Sequence, residues 1–170
     1  KKANQWRTWQ TVTIPELIMP YMDLLSSTSH LTTPYPASPT CSCNMHNKDL
    51  EVLAVYQDRL ERITIRVCSC TSSARQLLAR GLFPCAPLEP SVAFDLNMLE
   101  MVATLFLYIA PNVTAWTATL ETLLGARGHK LETRHSLRRR FGNALNWYSY
   151  MRDRVQARVA EEVEKARRAV

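Results

Sequence analysis

The sequence predicts an α+β fold, in which a small β-hairpin, pinned at its open end, packs on a mostly helical bundle that ends in a long basic helix. Three observations carry this. Ile63, Ile65 and Val67 alternate strictly with Arg62, Thr64 and Arg66, the period of a strand with one wet face. Two C-x-C pairs, Cys41/Cys43 and Cys68/Cys70, flank the hairpin segment. In the last third of the chain Leu137, Phe141, Ala144, Tyr148, Met151, Val155, Val159, Val163, Ala166 and Val170 recur about every 3.7 residues, the period of a nearly straight helix.

The elements follow in order. Trp6 and Trp9 precede an apolar set, Ile14, Leu17, Ile18, Tyr21, Met22, Leu24 and Leu25, that fits one helix face; Pro15 suits a first turn and Pro20 predicts a kink or break. Residues 26–40 are rich in Ser, Thr and Pro, with Pro34, Pro36 and Pro39, and read as an extended loop delivering the chain to Cys41. Residues 50–57 and 60–67 form the hairpin around Asp58-Arg59. Thr71 or Ser72 caps a short helix over residues 74–80, with Leu77 and Leu78 as its buried edge and Gly81 as its stop. Residues 81–90, with Pro84, Pro87 and Pro90, read as a rigid connector that separates the hairpin from an all-helical second half. That half holds three helices: 92–109, apolar almost all round and therefore the central core helix; 113–124, capped by Asn112 and stopped at Gly125; and 136–170, whose last two turns project beyond the core.

At 170 residues, with 46% hydrophobic and 21% charged residues, the chain has the profile of one folded domain, or one domain with an appended arm. The most apolar stretch, residues 98–110, is broken by Glu100 and Thr104 and stopped by Pro111, so no membrane span is expected. Residues 1–10 lack the apolar core of a signal peptide, and a start at Lys1 suggests a piece of something longer. Charge is uneven. Residues 1–126 carry nine Lys/Arg against ten Asp/Glu, whereas residues 127–170 carry twelve against five, so the front is −1 and the last part +7. An arm of that sign suits nucleic acid or an acidic partner, or is simply a solvated helix face.

The cysteines carry the sharpest chemical signal. A structural Zn²⁺ site needs four thiolates about 2.3 Å from the metal in a tetrahedron, and a hairpin whose two open ends carry one close pair each supplies them. This makes Cys41, Cys43, Cys68 and Cys70 the candidate ligands. Disulfides are the alternative use of the same four residues, disfavoured by a leftover fifth thiol and the lack of a visible secretory signal. His46, three residues beyond Cys43, is an alternate ligand, and Cys85 reads as a small buried thiol. Four protein thiolates leave zinc no open position for activating water, so the metal is expected to be a fold element.

Nothing else in the sequence suggests catalysis. Asp95 and Glu100 are five apart on a helix and point about 140° away from each other, which argues against a two-metal carboxylate pair. No G-x-S-x-G, H-E-x-x-H or phosphate-binding glycine loop occurs, and four glycines are too few for a backbone phosphate cradle. Asn112-Val113-Thr114 matches a glycosylation sequon but reads better as a helix cap. Arg138, Arg139 and Arg140, at 100° intervals around a helix, place one guanidinium near the core boundary and two toward solvent, available to phosphates or to carboxylates of the front half.

The succession of C-x-C, hairpin, C-x-C, then QLLARGLFPCAPLEPSVAFDLNMLE, APNVTAW and SLRRRF resembles the CxC-type cysteine cluster domain found at the N-terminal side of KDZ transposases in basidiomycete fungi, over residues 6–150. The resemblance implies a zinc-chelating accessory module, with the ligand role falling on Cys41, Cys43, Cys68 and Cys70, and leaves the transposase's catalytic acids in a separate, later domain. The expectations are therefore a cysteine cluster domain over residues 1–150 with a charged helical extension over 151–170, structural Zn²⁺, no enzymatic activity of its own, and no small-molecule substrate or membrane. DNA contacted through Arg138, Arg139 and Arg140 in the nucleus is the expected partner. A protein-interaction or multimerisation module, binding a second transposase subunit, other transposase domains or a chromatin protein, is the alternative.

Overall fold

The computed structural model describes residues 2–36, 41, 43, 46–131 and 137–169. The chain opens with helix α1 (Lys2–Thr8), which runs through a π-helical segment, Trp9–Thr13, into α2 (Ile14–Ser27). Pro15 lies in the first turn of α2, where its missing N–H costs little, and the widened π turn comes just before it. Pro20 sits inside α2 without ending it, so of the expected kink or break the break does not occur. Ile14, Leu17, Tyr21 and Leu24 form the buried face of this helix, and that packing outweighs the one backbone bond Pro20 removes.

Strands β1 (His46–Val55) and β2 (Leu60–Cys68) make the predicted hairpin, paired from Val55↔Leu60 at the turn to His46↔Cys68 at the open end. A register shift between His46 and Lys48 marks a bulge next to the cysteines. The guanidinium of Arg59 lies 3.8 Å from the centre of the Tyr56 ring at the turn. Helix α3 (Ser73–Ala79) follows as expected: Ser72 Oγ accepts the Arg75 N–H, Leu77 and Leu78 are buried, and Gly81 at φ +75° leads the chain away.

The second half is not all helical. Leu82–Pro84 forms β3 and Val92–Asp95 forms β4, and both join the hairpin in one four-stranded sheet of order β2-β1-β4-β3. β4 runs parallel to β1, with Leu53↔Val92, Ala54↔Ala93 and Val55↔Phe94, while β3 pairs antiparallel with β4. The expected connector over 81–90 is thus partly an edge strand, the one place in a sheet where Pro84, lacking an N–H, is tolerated. Val92, Ala93 and Phe94 are apolar and buried, a run that periodicity alone does not separate from helix.

Helix α4 therefore starts at Leu96 rather than 92, with the Asp95 carboxylate accepting the Met98 N–H, and ends at Leu105. It is not the central helix: Met101, Leu105, Leu107, Tyr108 and Ile109 are exposed. Helix α5 (Val113–Ala126) is capped by the Asn112 side chain, which accepts the Ala115 N–H, and passes through Gly125 to turn at Gly128, φ +82°. The central place falls to α6 (Leu137–Arg168), which packs on α2, α4, α5, β3 and β4 through buried Phe141, Ala144, Tyr148 and Met151. Phe94 meets Phe141 edge-on at 5.2 Å, and Trp9 stacks between Phe83 and Trp147 at 5.7 and 5.3 Å. Burial along α6 ends at Val155; Val159 and Val163 are nearly half exposed. The expected helix ends at Ser136 and Val170 lie outside the described residues, as does Pro39 of the loop before Cys41. No helix among the described residues is long and apolar enough to cross a membrane.

Candidate metal centre

The hairpin does what its sequence required of it. β2 ends on Cys68, a tight turn bridged between Cys68 and Thr71 carries Cys70, and Cys41 and Cys43 approach from the other side. The four Sγ atoms all lie within 4.8 Å of one another. Cys41 Sγ is 3.0 Å and Cys68 Sγ 3.3 Å from Cys70 Sγ, well beyond the roughly 2.05 Å of a disulfide. Four sulfurs about 2.3 Å from one metal ion stand about 3.8 Å apart, so these pairs need spread by less than about 1 Å to close around it. All four cysteines are unbridged. The cluster can hold a metal ion.

Hydrogen bonds within the cluster and on its β2 side hold it in place. The Cys43 backbone N–H donates to Cys41 Sγ at 3.4 Å, an interaction that favours a charged sulfur. Ser72, two residues after Cys70, donates its hydroxyl to Glu16 of α2 at 2.8 Å while capping α3, so the turn holding Cys70 is tied to the helical body. Gln76 of α3 donates to the Arg66 carbonyl at 2.6 Å and so clamps the end of β2.

The thiols also act on one another's protonation. Hydrogen bonding, first from Cys70 and then from Cys43 and Cys41, outweighs desolvation and lowers the Cys68 thiol to about 6; Cys70, donating to Cys41, Cys43 and Cys68, is pushed the other way. Hydrogen bonding thus favours a thiolate within the cluster, the form that binds a metal ion. Cys41 and Cys70 are exposed, which gives an ion a route in.

The other predicted positions go elsewhere. Nothing is described of the side chain of His46, the alternate ligand. Cys85 is buried apart from the cluster, and burial raises its thiol. Arg138 and Arg139 are exposed and Arg140 half-buried, the two-to-one split expected around the helix. These arginines do not join the cysteines; Arg140 instead faces a cleft at the closed end of the hairpin, with Arg62 and Lys130.

Asp95 and Glu100 serve structure. Asp95 caps α4, and Glu100 accepts from Tyr148 Oη and, at 3.0 Å, from Arg152. Tyr148 is also 2.9 Å from Tyr21 Oη, so a polar chain Tyr21–Tyr148–Glu100–Arg152 threads between α2, α4 and α6. Sequence reading missed this chain and the Glu16 anchor, because each pairs residues more than 45 positions apart.

Fold and site together define a cysteine-cluster domain: a hairpin with four converging thiols on a helical body. The family model described as "CxC1 like cysteine cluster associated with KDZ transposases" matches residues 27–129, more than half of the chain, and the protein belongs to that family. The match spans all four cysteines and the whole sheet. No curated protein and no solved structure matches the chain.

Proposed function

We propose that the chain is a non-catalytic, zinc-binding accessory module of a KDZ-family transposase that helps engage DNA in the nucleus during transposition. The observation that carries this is the convergence of four thiols within 4.8 Å, in a chain whose family is associated with these transposases. Cys41, Cys43, Cys68 and Cys70 would hold a structural Zn²⁺; thiolate-only donors suit zinc rather than magnesium or calcium. The metal would join the loop before β1 to the turn after β2. Residues 1–150 serve as the module and 151–170 as a charged extension, with Arg138, Arg139 and Arg140 offering guanidinium groups to phosphates.

The test is zinc quantification on reduced, purified protein together with a duplex-DNA titration at several salt concentrations. The expectation is one zinc per chain and an affinity that falls with salt by a logarithmic slope of about −0.9 per phosphate contacted. Absence of zinc removes the metal assignment, and absence of DNA binding at low salt removes the DNA role.

A second reading, a self-association or partner-docking module, draws on the exposed Val159 and Val163 on the projecting part of α6. Sedimentation that gives a clean monomer with DNA binding intact sets it aside.

A further inference from the structure

We propose that DNA phosphates are taken in the cleft where the wet face of the hairpin meets the start of α6, with Arg62, Lys130 and Arg140 as the contacting groups. This rests on the DNA-engaging reading above and adds Arg62 and Lys130 of the body to Arg140 as phosphate contacts.

The cleft, about 670 Å³, receives these three residues from three separate elements: Arg62 from β2, Lys130 from the segment after α5, and Arg140 from the first turn of α6. His129 lines it as well. Among the described residues the one carboxylate on its wall is Glu51, which accepts the Thr64 hydroxyl at 2.6 Å. Three cationic side chains set in a concave wall focus a positive potential outward. The half-buried Leu53 and Leu60 give the floor an apolar part on which sugar rings can rest.

The distribution of charge supports the same place. The excess of +7 in residues 127–170 separates into +5 over 127–140, with six basic residues against one acidic, and +2 over 141–170, with six against four. Within the projecting end of α6 the charges partly cancel through Glu162–Lys165 at 2.8 Å and Glu164–Arg168 at 3.1 Å. The projecting helix therefore offers phosphates little net attraction, whereas Lys130 and Arg140 of the more basic stretch line the cleft. Arg138 and Arg139, exposed on the same turn of α6 as Arg140, extend the positive surface beyond the cleft mouth.

The experiment is a fluorescence-anisotropy titration of a fluorescein-labelled 20-base-pair duplex (about two turns) with the full zinc-loaded chain at salt from about 50 to about 200 mM. Three proteins are compared: the parent, the triple variant Arg62→Gln, Lys130→Gln, Arg140→Gln, and the triple variant Arg154→Gln, Arg158→Gln, Arg167→Gln, which removes the same charge from α6 downstream. The cleft triple is expected to lose at least about 30-fold in affinity at low salt and about 2.7 of the logarithmic salt slope, from three contacts, while the downstream triple changes less than about threefold. Arg62→Gln alone, at an exposed strand position, is expected to lower the slope by about 0.9, a reading that survives should the triple fold poorly. Equal losses in both triples, or a parent-like cleft triple, overturn the cleft while leaving DNA binding in place. A parent that binds no duplex at low salt overturns the DNA reading itself, and the cleft with it.

Discussion

The two ends of the hairpin are held by different physics. At the closed end Val55, Leu53 and Leu60 belong to the main core, and Leu53–Val55 pair with β4, so the turn is fixed by packing and by a sheet ladder. At the open end the flanking residues are polar, Asp49 and Arg66 are exposed, and a smaller apolar group, Leu50, Val52, Ile65 and Leu77 among it, covers one face only. What joins the loop before β1 to the turn after β2 there is the cluster of four thiols. A two-stranded ribbon is marginal in water without cover, so one end is stable by burial and the other is expected to depend on a metal.

The largest expected effect falls at the packed end. Phe141 is fully buried and meets the Phe94 and Trp116 rings, so Phe141→Ala should cost about 3–5 kcal/mol, a large part of the stability of a domain this size. Denaturant unfolding measures it. The variant should lose both ends together, because Ser72–Glu16 and Gln76–Arg66 tie the open end to the helical body; a variant that keeps a folded, metal-loaded hairpin on an unfolded body would break the comparison.

Gly81 probes the body at its junction with α3. At φ +75° a side chain is strained, and a Cβ there would come within 2.2 Å of the Tyr35 ring, so Tyr35 must leave its place on the chain. Gly81→Ala should destabilise by about 1–3 kcal/mol on thermal unfolding, whereas Gly128→Ala, whose Cβ meets open space, should cost only the backbone strain of about 1–2 kcal/mol.

Removing the metal should act locally. Chelation, or Cys68→Ser, is expected to raise amide hydrogen exchange at least about tenfold in β2 near Cys68 and in the turn to α3, about 1.4 kcal/mol of local opening, while the buried stretch of α6 keeps its protection. Loss of protection throughout the chain on chelation would show the two ends to be one cooperative unit and the difference between them only apparent.

Much of this division was legible in the sequence. The alternation of Ile63, Ile65 and Val67 predicted β2, and its placement between two C-x-C pairs predicted that the thiols converge. The Asn112 and Ser72 caps were readable because capping is local chemistry. The failures came where tertiary context decided. Val92–Asp95 lies directly against a genuine helix and carries no turn signal, so its parallel pairing with β1 was invisible. The local rule for Pro20 allowed a break, which the buried face of α2 overrules. The bulk charge of residues 127–170 pointed to an arm, whereas the fold brings Lys130 and Arg140 to Arg62, some 70 positions away in the chain.

The smallest effect concerns Asp95, which joins the sheet to α4 at the packed end. Burial raises its pKa more than the N–H groups of Met98 and Asn97 lower it, so the native state holds this proton more tightly than the unfolded chain does. For a carboxyl group with a raised native pKa, stability is greatest below the unfolded value of about 3.8, falls as pH rises through the window up to the native value, and stays at the lower level above it. Asp95→Asn keeps a good N-cap and removes the titration. Urea midpoints measured from about pH 3 to pH 7 should show the parent losing a little more stability with rising pH than the variant does, the two curves parting only within that window. A parent that instead gains stability relative to the variant as pH rises would mean that the ionised carboxylate is favoured at this junction, and that the closed end draws on charge as the open end does.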